Sequence, residues 1–238
     1  MKQLLLFPDN NRILSPFFSY YGSKWRLAKF YPVPKYNTII EPFAGSACYS
    51  LHYPNLDITL IDKSEVVCSV WDYLIRVSES EILSLPLLQP KEKIPRYLPI
   101  EALRLIGFWT SKATTYPRKT MCNGKYLKST FWGARIRDRI ARQLQYIRHW
   151  KIKHGCYSEI QNNIATWFID PPYQIGGNRY IENQIDYTAL SKFCLGRDGQ
   201  VIVCENGQSD WLPFREFLDT KGMRKNSKEL IWTNEEVS

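Results

Sequence analysis

The sequence has 238 residues, 44% of them hydrophobic, enough for one ordinary catalytic domain carrying a substantial insertion. Its longest early apolar stretch, Leu4 to Phe7, is closed by Pro8 and too short for a signal-peptide core; no other run approaches bilayer length, so a soluble, cytoplasmic protein is expected, with no membrane partner. The net charge of +9 is unevenly placed: the window from Lys91 to Lys153 holds 16 Lys/Arg against three acids, leaving 16 basic and 20 acidic residues elsewhere. Such a block is either a surface that neutralises phosphates or a solvated basic face.

In chain order, the first segment of note is Phe18-Ser19-Tyr20-Tyr21-Gly22-Ser23-Lys24, which combines aromatics, small residues and a lysine and on its own reads as a surface loop. Thr38 to Glu41 reads as a buried strand running into Pro42-Phe43-Ala44-Gly45. Ser46 to Tyr53 can form a short helix, and Ile58 to Ile61 a second strand ending at Asp62, which completes a βαβ pattern. Small side chains in the Glu41–Ala47 turn let a ligand approach the backbone, at the strand end where open α/β sheets bind ligands. Asp62, on the next strand end, is where such folds place the acid that accepts hydrogen bonds from a ribose. The turn alone could be a plain βα corner; together with Asp62 it implies an adenosine-containing cofactor.

The middle of the chain differs in character. Thr114 to Lys128 is rich in Thr, Lys and Arg, contains Pro117 and the turn pair Asn123-Gly124, and reads as a mobile basic hairpin or loop. From Ile136, apolar Ile140, Leu144, Ile147 and Trp150 recur at helical spacing, while Arg135, Arg139, Arg142 and Arg148 take other positions on the same helix. His149, His154 and Cys156 are the nearest approach to a metal cluster, but their spacing fits no ligand pattern and no metal is expected. The six cysteines contain no C-x-x-C pair and read as free thiols.

A third strand, Ala165 to Ile169, leads directly into Asp170-Pro171-Pro172-Tyr173, the strongest signal in the chain. Two prolines fix the backbone and remove two N–H donors, so carbonyl oxygens and the carboxylate can face a substrate without internal competition. An aromatic amino group is a poor nucleophile because its lone pair is delocalised. Acceptance of its two N–H bonds by Asp170 and by the Pro171 carbonyl would favour a pyramidal nitrogen, a matter of positioning and electrostatics. Tyr173 would stack on the base, which must leave the duplex to be reached. A fourth strand is expected at Gln200 to Cys204, and Leu230-Ile231-Trp232 belongs either to a final strand or to a frayed tail.

These segments, in this order, resemble the Dam-like group of DNA adenine methyltransferases, over most of the chain. The resemblance implies an α/β fold: a Rossmann-like S-adenosylmethionine-dependent methyltransferase sheet with an inserted, mainly helical target-recognition module. The catalytic domain would comprise residues 1–85 and 155–238, and the DNA-binding insertion residues 86–154. It implies that Tyr20, Gly22, Lys24, Glu41, Phe43, Ala44, Gly45, Asp62 and Asp170 hold S-adenosylmethionine, and that Asp170, Pro171, Pro172 and Tyr173 receive adenine. Arg118, Lys119, Lys125, Lys128, Arg135, Arg139 and Arg142 would contact double-stranded DNA, and a monomer is the default. The chain departs from the family at Ala47 and Ser23, where glycines are common, and at Gly155-Cys156-Tyr157, where an acid is common. Other acceptors (the cytosine amino group, RNA, a protein glutamine) and a non-catalytic DNA-binding protein stand as alternatives; Asp170 argues against cytosine and glutamine, whose enzymes carry Ser and Asn there.

Overall fold

The structure, a computed structural model, describes residues 12–111, 114–123, 131–221 and 226–235. Seven strands form one mixed sheet in the order β3-β2-β1-β4-β5-β7-β6. They are β1 (Thr38–Glu41), β2 (Asp57–Asp62), β3 (Lys151–His154), β4 (Ala165–Ile169), β5 (Gly199–Asn206), β6 (Arg215–Lys221) and β7 (Asn226–Thr233). β1 to β5 pair in parallel, whereas β7 is inserted antiparallel between β5 and β6. The α/β sheet expected from the sequence is therefore present, ending in an antiparallel hairpin. β1 and β4 match the expected bounds; β2 and β5 extend them by a residue or two.

The helices are α1 (Glu65–Arg76), α2 (Glu79–Ser84), α3 (Ile100–Trp109), α4 (Ala134–Gln143) and α5 (Tyr187–Leu195). α1 starts where the Ser64 side chain accepts from the Val67 amide, and it buries Val67, Val70, Trp71 and Leu74, a single stripe at helical spacing. Its last turn is capped by Arg148, whose guanidinium donates to the carbonyls of Leu74, Ile75 and Val77. Arg148 is thus tied to the fold.

The structure departs from the expectations at three points. Ser46 to Tyr53 yields only a single 3-10 turn, Ser50–His52, because Gly45 and Ala47 take left-handed backbone conformations that delay regular winding. A separately packed helical insertion over residues 86–154 is not seen among the described residues. Leu105, Ile106, Ile136, Ile140, Leu144, Ile147 and Trp150 join the same apolar cluster as Phe17, Phe18 and Trp71. Lys151–His154 forms β3 and pairs in parallel with β2, so the sheet resumes before the expected boundary at His154. The anticipated long helix from Ile136 also ends at Gln143, with a 3-10 turn following.

The opposite sheet face buries Ile40, Ile61, Trp167, Ile169, Val201, Val203 and Trp232 against Leu190 and Phe193 of α5. β4 is buried at every position, as a central strand covered on both faces must be. Leu230–Trp232 belongs to β7 and is buried. The six cysteines are free. Among the described residues no helix is long and apolar enough to cross a membrane, and no group of His, Cys, Asp or Glu is placed to hold a metal ion.

Candidate active site

The chemistry-bearing residues meet at the carboxyl ends of β1, β2 and β4, adjacent strands of the sheet. At the end of β1, Glu41 is buried and its carboxyl accepts the Ser50 amide at 2.8 Å. Burial pushes Glu41 up to about 8 despite that bond. Gly45 sits at φ +46°, and a side chain there would press on the Tyr20 ring. Its carbonyl accepts the Trp71 indole N–H at 2.8 Å, so α1 fixes the turn from below. Ala47, where the resembled family often has glycine, keeps a left-handed φ of +49° with its methyl wholly buried. That conformation costs an L-residue about 1–2 kcal/mol, roughly matched by the burial of a methyl at about 0.8 kcal/mol and the smaller unfolded-state freedom of alanine.

Asp62 closes the turn from β2: one carboxylate oxygen accepts the Gly45 amide at 2.9 Å, the other the Ser64 amide at 2.8 Å. Burial raises it to about 6 and the two amides hold it back from rising further. Each oxygen keeps a second lone pair for a ligand. Across the cleft, the Gly155 amide donates to the Asp62 carbonyl at 3.0 Å, and the rings of Phe43 and Tyr157 lie 5.4 Å apart. Cys156 also lines the cleft, in the segment where the resembled family commonly has an acid.

Asp170 follows β4 and stands 3.4 Å from the Lys24 ammonium. Lys24, buried, also donates to the Gly22 carbonyl at 3.1 Å and lies 4.6 Å over the Tyr173 ring. Burial alone would lower the Lys24 ammonium, but Asp170 and Glu229 outweigh it and hold it above the usual lysine range. Burial lifts Asp170 to about 6 against the pull of Lys24. Behind the tetrapeptide, Tyr187 donates to the Pro172 carbonyl at 2.7 Å, and the fully buried Glu205 accepts the Gln174 amide at 3.1 Å and the Trp211 indole at 2.9 Å. These contacts fix the loop that follows β4.

The cleft offers a cavity of about 110 Å³ and is open at its mouth. Every residue expected to hold the cofactor lines it: Tyr20, Gly22, Lys24, Glu41, Phe43, Ala44, Gly45, Asp62 and Asp170. Pro172 also lines it; Pro171 is buried and not part of the wall, and Tyr173, half-buried, adjoins the cleft through Lys24, which lies over its ring. The segment from Tyr180 to Ile185 covers one side, its Tyr180 hydroxyl donating to the Tyr21 carbonyl at 3.2 Å and Glu182 pairing with Lys63 at 3.2 Å. Gly22, at φ +73°, makes room for this cover: a side chain would run into the Tyr180 hydroxyl.

Among the basic residues expected to meet DNA, Arg118, Lys119, Arg135 and Arg142 are exposed, while Lys125 and Lys128 lie outside the described residues. Arg139 is different. Its guanidinium donates to the Pro16 carbonyl at 2.7 Å and stacks over Trp109, and burial together with neighbouring Arg135 lowers it to about 10. It braces the N-terminal segment and is no free surface cation. Sequence reasoning missed Trp71, Glu205 and Glu229; the helical stripe of α1 could have flagged Trp71, but nothing local marks the two glutamates.

No protein-family model matches the chain, and no curated protein matches it. Solved structures do, distantly. They include the yhhF protein of Escherichia coli, provisionally described as a methyltransferase (9% identity, 82% of this chain and 74% of that one, TM-score 0.33). A conserved hypothetical protein of Streptococcus pyogenes matches at 10% identity over 89% of this chain and 92% of that one, TM-score 0.39. A provisionally described methylase of Haemophilus influenzae matches at 11% identity over 82% and 84%, TM-score 0.35. Likenesses this remote carry no chemistry over to the present chain.

Proposed function

We propose that the chain is an S-adenosylmethionine-dependent methyltransferase whose acceptor is the exocyclic amino group of adenine in double-stranded DNA. The observation that carries the reading is the half-buried Asp170, at the end of β4, facing the same cleft as the Glu41–Gly45 turn and Asp62. The residues present fit the cofactor: glycine at positions 22 and 45 opens the cleft, Asp62 has lone pairs for a ribose diol, and Phe43 and Tyr157 offer apolar faces for a purine. When bound, S-adenosylmethionine supplies an electrophilic methyl group.

The chain's own residues do the rest. Asp170, ionised above about pH 6, accepts an N–H of the adenine amino group, and the Pro171 carbonyl accepts the other. Lys24 opposes protonation of Asp170 from 3.4 Å. Flipping a base costs a few kcal/mol, and stacking on an aromatic returns roughly 1–3 kcal/mol. Lys24 covers one face of the Tyr173 ring, so stacking of the base on Tyr173 would need its other face. For DNA, the exposed Arg118 and Lys119 continue from Thr114 and Thr115 at the cleft: the Tyr21 amide donates to the Thr114 carbonyl at 3.2 Å, and Thr115 lines the wall. Positive charge within a few residues of the cleft wall along the chain supports phosphate binding there.

The test is incubation with isotopically labelled S-adenosylmethionine and unmethylated genomic DNA, followed by nucleoside analysis. N6-methyladenine is the expected product. N4-methylcytosine or label in RNA would overturn the acceptor, and bound cofactor without any methyl transfer would overturn the enzyme.

A further inference from the structure

Glu229 is a charged residue at a buried position of β7. On β7, the two-residue period places Glu229 beside Ile231, whose side chain is wholly buried in the first apolar cluster, yet Glu229 is itself only 7% exposed. A buried carboxylate persists only when partnered, and this one has two partners, Lys24 of the cleft wall and the adjoining Tyr173. Its Oε2 accepts the Tyr173 hydroxyl at 2.8 Å and lies 4.0 Å from the Lys24 ammonium. One ammonium is therefore shared by two carboxylates, Asp170 and Glu229, above the ring of Tyr173, which Glu229 also holds. A hydrophobic residue at position 229 would satisfy the core equally well and would leave the Tyr173 hydroxyl without this acceptor.

We propose that Glu229 is a positioning residue for methyl transfer: from β7, remote in sequence from every motif, it fixes the Tyr173 ring and shares Lys24 with Asp170, so that the ring and the carboxylate that receive the acceptor base keep one arrangement. The assignment rests on the methyltransferase reading. It has an electrostatic side. Asp170 is faced by Lys24 from the N-terminal segment, Glu41 and Cys48 from β1 and its turn, Tyr173 and Tyr180 from the loop after β4, Tyr31 from the segment before β1, Cys204 from β5 and Glu229 from β7. Of these, Glu229 is the carboxylate that opposes ionisation of Asp170 most strongly after burial itself. Removing its charge leaves Lys24 wholly to Asp170, which then ionises at lower pH.

The test compares wild type with Glu229→Gln, Tyr173→Phe and the double variant, in kcat, KM and pH profile of methyl transfer. Glu229→Gln should lower kcat on the order of tenfold to a hundredfold, the cost of a small misplacement at a reacting centre, with KM for the cofactor within about twofold. Its acid limb should move to lower pH, which a purely structural lesion would not do. Tyr173→Phe should lower kcat without moving that limb, and the double variant should fall short of the product of the single effects. Wild-type kcat and an unmoved limb in folded Glu229→Gln would overturn the role of Glu229 while leaving the function standing. Wild-type protein that transfers methyl to no acceptor would overturn the function, and this role with it. Should Glu229→Gln fail to fold, an unchanged kcat in Tyr173→Phe overturns the assignment.

Discussion

Replacing Lys24 by methionine removes one buried ammonium from between Asp170 and Glu229 while keeping its length and apolar stem. Their side chains are only 22% and 10% exposed, so neither carboxylate can recover full solvation. Breaking such a pair costs about 3–5 kcal/mol when the orphaned charge stays. The protein has a way to limit that loss: one carboxylate takes up a proton. For a carboxyl with an ordinary value near 4, proton uptake at pH 7 costs about 4 kcal/mol, and at pH 5 only about 1.4 kcal/mol. Lys24→Met should therefore lose about 3–4 kcal/mol at pH 7, a fall in Tm of roughly 6–16 °C for a chain of this size, and far less at pH 5. The sign follows from Asp170, whose raised value rises further without Lys24; stability tied to its protonated form is present at low pH and lost as pH rises through the folded value. Urea denaturation at both pH values measures this. A loss equal at pH 5 and 7, or under about 1 kcal/mol at pH 7, would refute the coupling of the three groups.

Asp170→Ala should reduce turnover by roughly two to three orders of magnitude with DNA affinity near normal, and wild-type kcat should fall as pH drops through about 6, where Asp170 protonates; a pH-independent kcat between 5 and 7.5 would contradict the role. Glu41 is raised to about 8, so the stability tied to its neutral form is present below the unfolded value and is lost as pH rises towards 8. The Tm advantage of Glu41→Gln over wild type should thus grow from pH 5 to pH 8 and level off above, as followed by thermal melts. Arg142→Ala should make DNA affinity less salt-dependent with little change in Tm, whereas Arg139→Ala should lower Tm, since it loses the Pro16 bond and the Trp109 stack. Binding titrations at several salt concentrations, paired with melts, separate the two.

The segments that carry chemistry were legible because their constraints are local. Pro171-Pro172 fixes its own backbone, Gly45 supplies its own left-handed turn, and an apolar run such as Ala165–Ile169 is a strand by composition. The family resemblance implied that the Tyr20–Lys24 segment, the Glu41–Gly45 turn, Asp62 and Asp170 belong together, and all of them line one cleft. What was not legible depends on pairings between distant residues. Lys151–His154 is a strand only because β2 lies beside it, and the described residues between 86 and 150 share a core with the sheet because their apolar stripes meet Phe17, Phe18 and Trp71. Arg139 and Arg142 look alike on a helical wheel; Pro16 and Trp109 draw one inward and leave the other to solvent. The sequence by itself determined which groups can do chemistry, since that is a property of side chains and local backbone. The tertiary structure decided their charge state and their company: burial raises Asp170, Asp62 and Glu41, and Glu229 reaches Lys24 and Tyr173 because β7 is threaded between β5 and β6. Desolvation and Coulomb energy depend on distance in space, to which separation along the chain is no guide.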